Sequence, residues 1–411
     1  MARREPKVLA VILAGGEGRR LMPLTEDRAK PAVPFGGSYR IIDFVLSNFA
    51  NTNYLKIVVL TQYKSHSLDL HVSKTWRFST LLGNYVTPVP AQMRRGPHWF
   101  SGSADAIYQN LNLITDENPD VVCVFGADHI YRMDPRQMVE DHLANDCDVT
   151  VAAIPVPIEQ GSQFGVIEAD GVGRIVNFHE KSPTPPPMIE DPSRCLASMG
   201  NYVFTTRALI DIVTPTEGRE KPSDIGGDVI PAITRAGRAR VYDFSKNEIP
   251  GQVPLERGYW RDVGSLDAYY DANMDLIKPM PLFDLYNEQW PIYSLQLPLP
   301  PAKLSRGADG ASPSVTNSLL CAGSIVSGGR IDHSIIGPDV FVDAGADVTE
   351  SILFPGVRVG RGARLHRCIL DKNVVVPPGM SIGVDPEADR ARFTMSANGI
   401  AVVPKDHKLT P

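Results

Sequence analysis

The chain has 411 residues, of which 43% are hydrophobic and 21% are charged. This composition is typical of a globular protein of two or three domains and excludes wholesale disorder. Lys and Arg number 41 against 47 Asp and Glu, so the net charge of −6 provides no general attraction to nucleic acid or to an anionic membrane. No apolar run approaches the roughly 18–20 residues that span a bilayer.

The N-terminus and the cysteines indicate where the protein works. Residues 1–7 are basic and precede the apolar run Val8–Ala14, a combination that superficially suggests a signal peptide. A glycine-rich stretch follows the run, and it contains no small-residue cleavage site, so we expect a first buried strand instead. The five cysteines are widely spaced and form no CxxC pair, and none of the nine histidines has zinc-ligand spacing. These features predict a reduced, cytoplasmic protein.

The first 280 or so residues alternate apolar runs with helical patterns, which predicts an α/β layer fold. Strands buried on both faces are expected at Val8–Ala14, Lys56–Thr61, Val121–Phe125 and Val149–Ile154. One helix is predicted from Ser103, with Ile107, Leu111 and Ile114 on one face. A second is predicted from Asp134-Pro135, with Gln137 as the partner in a capping box, and a third after Ser265, with Leu266, Tyr269, Tyr270 and Ile277 on one side.

Prolines interrupt the chain between 279 and 313, and the residues beyond them repeat with a period of six. We expect residues 1–278 to form the first domain, 279–314 a packed connection and 315–411 a second domain. Aliphatic anchors recur at six-residue spacing with two slips: Ile336, Val342, Val348, Leu353, Val359, Leu365, Leu370, Val376 and Ile382. This period favours a parallel β-helix over a small antiparallel domain with coincidental spacing.

A glycine-rich loop directly after the first strand is the first candidate site. Gly15, Gly16 and Gly18 would let backbone N–H groups approach an anion at the carboxyl end of a strand. The loop is neither the Rossmann fingerprint, because Leu21 stands where a third glycine belongs, nor a P-loop, because no Lys follows a Gly. Nearby cations suit a polyphosphate, and they are Arg19, Arg20, Arg28 and Lys30.

Carboxylates and a Glu–Lys pair provide two further candidates. Asp128 ends a predicted buried strand, and Asp262 lies in a distant segment. Two such oxygen ligands could hold one Mg²⁺, although Asp128 alone would equally serve as a helix cap. Glu180 and Lys181 end an alternating strand, where Glu180 could accept sugar hydroxyl hydrogen bonds and Lys181 could meet a phosphate. A solvent-facing ion pair is the simpler interpretation of that dipeptide by itself.

Several segments of the chain resemble the sequence motifs of a known enzyme family. Gly15–Thr25, followed by Arg28–Pro34, resembles the signature of the sugar-1-phosphate nucleotidylyltransferases. Four more segments resemble the bacterial glucose-1-phosphate adenylyltransferase family, and they are Tyr39–Phe44, Gly102–Ala106, Leu196–Gly200 and Tyr259–Gly264. The resemblance implies a Rossmann-like domain with a mixed, mostly parallel sheet and a C-terminal left-handed β-helix. It also implies transfer of the adenylyl group of ATP to α-D-glucose 1-phosphate, the first committed step of bacterial glycogen or related α-glucan synthesis.

The resemblance implies a role for each matching position. The nucleotide would be bound by Leu13, Ala14, Gly15, Gly16, Gly18, Gln92 and Gly102. Arg20 and Lys30 would hold pyrophosphate, and Asp128 and Asp262 would bind Mg²⁺. Glucose 1-phosphate would be surrounded by Phe100, Gly165, Glu180, Lys181 and Ser198. The residues expected to be catalytic are therefore Arg20, Lys30, Asp128, Lys181 and Asp262.

The resemblance further implies a homotetramer regulated by phosphorylated metabolites. Arg40 is expected in the effector site near the domain junction, with Arg390 or Arg392 contributing from the C-terminal side, and Gln62 and Trp99 are expected to relay effector binding to the nucleotide. Three alternatives stay open: the same chemistry with a UDP-, dTDP- or GDP-sugar, a β-helix that transfers acyl groups through His333 or His366, and a non-catalytic regulatory subunit.

Overall fold

The computed structural model describes residues 4–92, 94, 96, 98–217 and 221–410, and its secondary structure falls into two regions. The first carries a large sheet with helices on its faces, and the second is built from short parallel strands. Within the described residues, no helix combines the length and the apolar character that crossing a membrane requires.

The strands of the first region are β1 (Val8–Ala14), β2 (Pro34–Phe35), β3 (Tyr39–Arg40), β4 (Lys56–Thr61), β5 (Tyr85–Pro90), β6 (Val121–Gly126), β7 (His129–Tyr131), β8 (Val149–Pro157), β9 (Gly165–Ala169), β10 (Ile175–Glu180), β11 (Arg194–Thr205), β12 (Ala239–Asp243) and β13 (Trp260–Asp262). Its helices are α1 (Ile41–Asn51), α2 (His66–Thr75), α3 (Ser103–Gln109), α4 (Leu111–Glu117), α5 (Pro135–Ala144), α6 (Thr206–Val213), α7 (Ile230–Arg235) and α8 (Leu266–Met274). A π-helical turn spans Ile225–Val229.

A nine-stranded sheet forms the centre of this region. Its order is β10–β9–β11–β6–β1–β4–β5, and β8 and β12 extend it from β11. Strands β10 and β11 run against the others, so the predicted mixed, mostly parallel sheet is confirmed. Strand β5 lies at an edge of the sheet and pairs only with β4. Pro88 and Pro90 are tolerated there because an edge strand does not need every backbone N–H group for pairing.

The four predicted strands are confirmed, and the helix at Asp134 shows one error. Asp134 caps α5, because its Oδ1 accepts a hydrogen bond from Arg136 N at 2.9 Å, and Pro135 is the first helical residue. The predicted capping box is wrong. The Gln137 amide instead donates to Glu248 O at 2.6 Å and accepts from Glu248 N at 3.0 Å, so a long-range partner replaces the local one.

The helix predicted from Ser103 is two helices. Asn110 (φ −115°, ψ 22°) interrupts it between α3 and α4, and its Nδ2 donates to Ala106 O at 2.8 Å. Such a bond from an Asn side chain to the preceding turn competes with a regular helix. The predicted face is still buried. Helix α8 begins where expected, with Ser265 Oγ accepting from Ala268 N at 3.2 Å, but Ile277 lies beyond its end.

The second region is a β-helix of three sheets, whose strands are parallel except for one antiparallel pair at the end of the third sheet. Its elements are β14 (Lys303–Ser305), β15 (Ser314–Thr316), β16 (Leu319–Leu320), β17 (Ile325–Ser327), β18 (Arg330–Asp332), β19 (Ile335–Ile336), β20 (Phe341–Val342), β21 (Asp347–Thr349), β22 (Ile352–Leu353), β23 (Arg358–Val359), β24 (Arg364–His366), β25 (Cys368–Leu370), β26 (Val375–Val376), β27 (Ser381–Ile382), α9 (Pro386–Arg390), β28 (Thr394–Met395) and β29 (Ala401–Val403).

The predicted six-residue anchors fill the interior of the β-helix. Each of the nine is at most 1% exposed. Ile336, Leu353 and Leu370 stack in register along one sheet, and the other two sheets hold the remaining six anchors in the same way. The parallel β-helix is thereby confirmed, while the left-handed sense of its coil stays a prediction.

The two regions are in contact along α8 and along the connection between them. Tyr270 Oη on α8 donates to Glu350 O at 2.7 Å. In the connection, Phe283 and Trp290 are buried, and Ser294 Oγ donates to Asp43 Oδ2 on α1 at 2.7 Å. Strand β14 lies inside the expected connection 279–314 and already pairs with β17. The expected boundaries at 278 and 314 stay predictions.

Candidate active site

A small two-stranded sheet brings together the two candidate metal-binding carboxylates. Asp128 lies just before β7, and Asp262 is the last residue of β13. The two strands pair antiparallel with His129 directly opposite Asp262. Because β7 follows the central strand β6, the pair is held at the carboxyl end of the main sheet, next to the loop that follows β1.

Lys30 joins the two carboxylates. Its Nζ lies 2.9 Å from Asp128 Oδ2 and 3.2 Å from Asp262 Oδ1, and its side chain is 8% exposed. Burial disfavours the ammonium, but the charges and hydrogen bonds of the two aspartates outweigh burial and raise the pKa of Lys30 above its ordinary value. Lys30 therefore carries a positive charge between the two carboxylates at neutral pH.

The same carboxylates fit a divalent cation. Asp128, His129 and Asp262 each offer a ligand atom, and these atoms lie within 4.8 Å of one another. Removal from water opposes ionisation of Asp128, but the charges of Lys30 and His129 and the Lys30 hydrogen bond hold its pKa below the usual range. An ionised carboxylate pair is the donor set that hard divalent cations prefer.

The glycine loop lies against Lys30. Gly18 has φ +65°, and a Cβ at that position would lie 3.0 Å from Lys30 Cβ and 3.2 Å from Thr25 Cγ2. Thr25 Oγ1 also donates to Gly18 O at 2.9 Å, which fixes the turn. At Gly16, by contrast, a Cβ would meet no atom within 4 Å. The loop thus packs on one side and opens toward free space on the other.

Arg20 approaches the candidate metal-binding residues across Gly264. A Cβ on Gly264 would lie 2.9 Å from Arg20 Nη2 and 2.8 Å from Asp262 Oδ2, so only a glycine lets the guanidinium and the carboxylate come this close. Arg19 is instead paired with Glu17. Of the two neighbouring arginines, Arg20 is therefore the one directed at the site.

A cavity of about 390 Å³ lies beside the open side of the loop. Its lining includes Leu13, Gly15, Gly16, Gln62, Phe100 and Gly102. Gln62 clamps the backbone of Phe100, donating to its O at 3.2 Å and accepting from its N at 2.7 Å. A Cβ on Gly102 would lie 2.3 Å from Ser223 O, a backbone atom, so this contact requires glycine. Ala14 is buried in β1, and the exposed Gln92, which accepts from Arg94 Nε at 2.9 Å, lies outside the lining.

The candidate sugar-phosphate residues lie at the start of β9, at and just beyond the end of β10, and within β11. Gly165 pairs with Glu180, and a Cβ on Gly165 would lie 3.0 Å from Glu180 Oε2. Lys181 pairs with Glu180 and is 66% exposed, so its ammonium reaches solvent. Ser198 is buried where the pairing of β11 with β8 breaks, and its Oγ accepts from Gly200 N at 3.3 Å.

Two site features have little or no signal in the sequence. His129 faces both aspartates only because β7 and β13 pair, and nothing local to the sequence predicts that pairing. Gln62, expected as a relay residue, lines the cavity directly. Trp99, the other expected relay residue, is 54% exposed. Whether either residue transmits an effector signal stays a prediction.

Arg40, the expected effector residue, belongs to a group of cations at the junction of the two regions. Its Nη1 donates to Ser67 O at 2.8 Å. Burial, together with the positive charges of Arg40 and Arg28, lowers the pKa of Lys372 to about 8. Arg28 is paired with the buried Asp371 at 3.0 Å.

Arg390 and Arg392, the expected C-terminal effector residues, lie at the end of α9 and just beyond it. Arg390 is exposed, and the Arg392 guanidinium lies 4.9 Å from the centre of the Phe393 ring. Their effector role stays a prediction.

Comparisons with known proteins agree with this arrangement. Residues 9–278 match the family model described as nucleotidyl transferase, and residues 300–403 match the one described as GlmU-like, C-terminal hexapeptide. A glucose-1-phosphate adenylyltransferase of Acidothermus cellulolyticus is 56% identical over the full length of both chains. Enzymes of the same name from Arthrobacter sp. and Parafrankia sp. are 55% and 54% identical, covering 97% and 98% of this chain and 87% and 98% of their own.

Proposed function

Because the chain belongs to the glucose-1-phosphate adenylyltransferase family, within the nucleotidyl transferases, we propose that it converts ATP and α-D-glucose 1-phosphate into ADP-glucose and pyrophosphate. This reaction is the first committed step of bacterial glycogen or related α-glucan synthesis. The observation that carries the proposal is the Lys30 ammonium, which joins Asp128 and Asp262 beside the glycine loop.

The nucleotide occupies the cavity beside the glycine loop. The backbone N–H groups of Gly15 and Gly16 face its phosphates, and the open space at Gly16 lets the polyphosphate approach the main chain closely. Arg20 and Lys30 hold the departing pyrophosphate. The adenine end extends toward Gln92, which lies two residues beyond the end of β5.

Glucose 1-phosphate binds beside the start of β9, the end of β10 and the interior of β11. Glu180 accepts hydrogen bonds from sugar hydroxyls, Lys181 pairs with the phosphate, and Ser198 and Gly165 shape the floor. Phe100 borders both substrates. The Lys181 ammonium now pairs with Glu180, so the incoming phosphate competes for a cation that is already in place.

Direct attack of the sugar phosphate on the α-phosphorus of ATP needs no general base, because the attacking oxygen is already anionic. The protein must instead align two mutually repelling anions and screen their charge. Lys30, Arg20 and Lys181 provide positive charge along the line of displacement. A divalent cation held by Asp128 and Asp262, proposed to be Mg²⁺ because both ligands are hard carboxylate oxygens, supplies further charge neutralisation when bound.

A nucleotide panel tests this function. The purified chain is incubated with Mg²⁺, glucose 1-phosphate and either ATP, UTP, dTTP or GTP, and pyrophosphate release is followed. The proposal expects ATP to be used far better than the others, with ADP-glucose as the product. Preference for UTP, dTTP or GTP would identify one of the alternative sugar nucleotides. Absence of pyrophosphate with every nucleotide would identify a non-catalytic subunit.

Phosphorylated metabolites regulate the enzyme by binding the cations at the junction of the two regions. Arg40 lies close enough to Lys372 for its positive charge to lower the pKa of the lysine. An anion bound between the two side chains would reduce the repulsion between their charges. Turnover is compared with and without fructose 6-phosphate, glucose 6-phosphate and phosphoenolpyruvate. A response that Arg40→Ala abolishes, with basal turnover retained, supports this site, and an unchanged response in that variant overturns it.

The enzyme works as a cytoplasmic homotetramer. Buried and unpaired, the five cysteines suit a reducing compartment. Light scattering during size-exclusion chromatography should give four times the 44.9 kDa chain mass. A mass of one or two chains would contradict the tetramer.

A further inference from the structure

His129 faces both metal-binding carboxylates. Its Nε2 lies 3.6 Å from Asp128 Oδ1 and 3.9 Å from Asp262 Oδ1. Two atoms bound to one ion at the usual distance of about 2.0–2.2 Å must lie within about 4.4 Å of each other. Both separations satisfy that limit, and all three ligand atoms lie within 4.8 Å of one another, so one ion can contact the three side chains after a small side-chain adjustment.

The ring is held in this position from several directions. Pairing of β7 with β13 places His129 directly opposite Asp262, and its ring centre lies 5.0 Å from that of Trp260. The two oxygens of Asp128 are divided between neighbours, because Oδ2 accepts from Lys30 while Oδ1 faces the imidazole. Lys30 therefore leaves Asp128 Oδ1 free for an ion, whereas Asp262 Oδ1 would be shared between the ion and Lys30 Nζ, which lies 3.2 Å away.

Neither ring nitrogen of His129 has a hydrogen bond among the described residues. Nδ1 is buried without a partner, and Nε2 lies beyond hydrogen-bond distance of both facing carboxylates. The side chain is only 13% exposed. An imidazole that is mostly buried and lacks hydrogen bonds is unfavourable. Nδ1 is the buried atom without a partner, and a cation at Nε2 would give the ring one polar contact on its other side.

We propose that His129 Nε2 is the third protein ligand of the divalent cation and that the site therefore binds Mn²⁺ more tightly than Mg²⁺. The inference rests on the proposed function, which requires a cation between Asp128 and Asp262. Imidazole nitrogen binds transition metals well and adds little for Mg²⁺, which prefers oxygen.

Pulsed electron paramagnetic resonance of bound Mn²⁺ tests the ligand in the unmodified protein. The full chain is prepared with natural-abundance histidine and again with ¹⁵N-labelled histidine, and each sample is loaded with less than one equivalent of Mn²⁺. The proposal expects a directly coupled nitrogen whose frequency changes with the isotope. Mn²⁺ that binds without any histidine nitrogen coupling would overturn it. Because the protein is not mutated, folding does not affect the result.

A substitution then assigns the nitrogen. His129→Asn is expected to raise the Kd for Mn²⁺ by about 10–100-fold, as calorimetry measures it, and the Kd for Mg²⁺ by much less. The control is His333→Asn, because His333 also contacts an aspartate, Asp332 at 2.9 Å, but lies on the β-helix. An unchanged ratio of the two Kd values in His129→Asn, with circular dichroism showing a folded protein, would overturn the proposal.

Turnover in the same samples separates this inference from the proposed function. ADP-glucose formation with Mn²⁺ but without nitrogen coupling would exclude His129 as a ligand and leave the function standing. Nitrogen coupling without ADP-glucose formation would confirm the ligand and contradict the function.

Discussion

The two-stranded sheet β7–β13 and the β-helix both align residues across neighbouring strands, but they align different kinds of residue. In the β-helix, aliphatic side chains stack on other aliphatic side chains in a buried interior, as Ile336, Leu353 and Leu370 do. In β7–β13, His129 lies opposite Asp262, with Asp128 and Lys30 beside them. The first arrangement stabilises the fold, and the second concentrates charges that the fold must hold in place.

This difference predicts how each region responds to substitution. Loss of an aliphatic anchor removes buried area and leaves a cavity, so the free energy of unfolding decreases while the chemistry is spared. Loss of one charge from the cluster of Lys30, Asp128 and Asp262 weakens the binding of the substrate anions and of the cation. Turnover should therefore decrease, while the packing of the core changes little. The substitutions below test this separation in order of expected effect.

Asp128→Asn should have the largest effect. It removes one of the two carboxylates that Lys30 joins, and we expect kcat to decrease by about 10³-fold or more. The melting temperature should change little, because Lys30 keeps its second partner, Asp262 Oδ1 at 3.2 Å. Pyrophosphate release and thermal melting measure the two effects. Asp146→Asn, at a side chain that is 99% exposed, is the matched control. Near-normal turnover in Asp128→Asn would contradict the metal assignment.

Leu353→Ala should lower stability and spare the chemistry. The side chain is 1% exposed between Ile336 and Leu370, so its truncation should decrease the free energy of unfolding by about 2–5 kcal/mol. Denaturant unfolding measures this change, and turnover per folded molecule at 25 °C should stay within about twofold of the unmodified protein. Val375→Ala, on a strand of the same β-helix but 57% exposed, should change neither quantity. A Leu353→Ala variant that is as stable as the unmodified protein but has lost turnover would contradict the assignment of the β-helix anchors to stability rather than to chemistry.

Gly102→Ala tests the nucleotide cavity. The new Cβ would lie 2.3 Å from Ser223 O, so the loop that carries Phe100 must move. We expect kcat/KM for ATP to decrease about 10–100-fold, with the KM for glucose 1-phosphate affected less. Gly171→Ala is the control, because a Cβ there meets no atom within 4 Å. Equal kinetics in the two variants would show that the cavity does not bind ATP.

The pH dependence of effector binding should show the smallest effect. Lys372 has a pKa of about 8 in the folded chain, so its ammonium is present below pH 8 and is lost above it. Effector affinity should therefore be highest below pH 8 and decrease about tenfold between pH 7 and pH 9. Lys372→Arg, whose guanidinium stays charged, should flatten the profile. A profile that is equally steep in Lys372→Arg would exclude this lysine.

The same comparison explains which features could be predicted from the sequence. The β-helix anchors and the apolar strands repeat locally, so periodicity identifies them, as with Val8–Ala14 and Val342. The chemistry of Asp128 and Asp262 predicts a possible metal site, but the convergence of the two side chains depends on strand pairing across more than a hundred residues.

Other features depend on partners that are remote in sequence or on competition within one turn. Gln137 hydrogen-bonds to Glu248 rather than within its own helix, and Asn110 interrupts a helix by donating to Ala106 O. His129 lies next to Asp262 only because β7 pairs with β13. No local pattern specifies these choices, because several alternatives differ by only one hydrogen bond.

The central claim is that Arg20, Lys30 and Lys181 align two anions for a direct displacement at the α-phosphorus. The most direct test uses ATP that carries sulfur at the α-phosphorus in a single configuration, with glucose 1-phosphate as the second substrate. Phosphorus NMR of the resulting thio-ADP-glucose reports the configuration at that atom. A single in-line displacement predicts inversion. Retention would require an intermediate covalently bound to the protein, and it would contradict the claim.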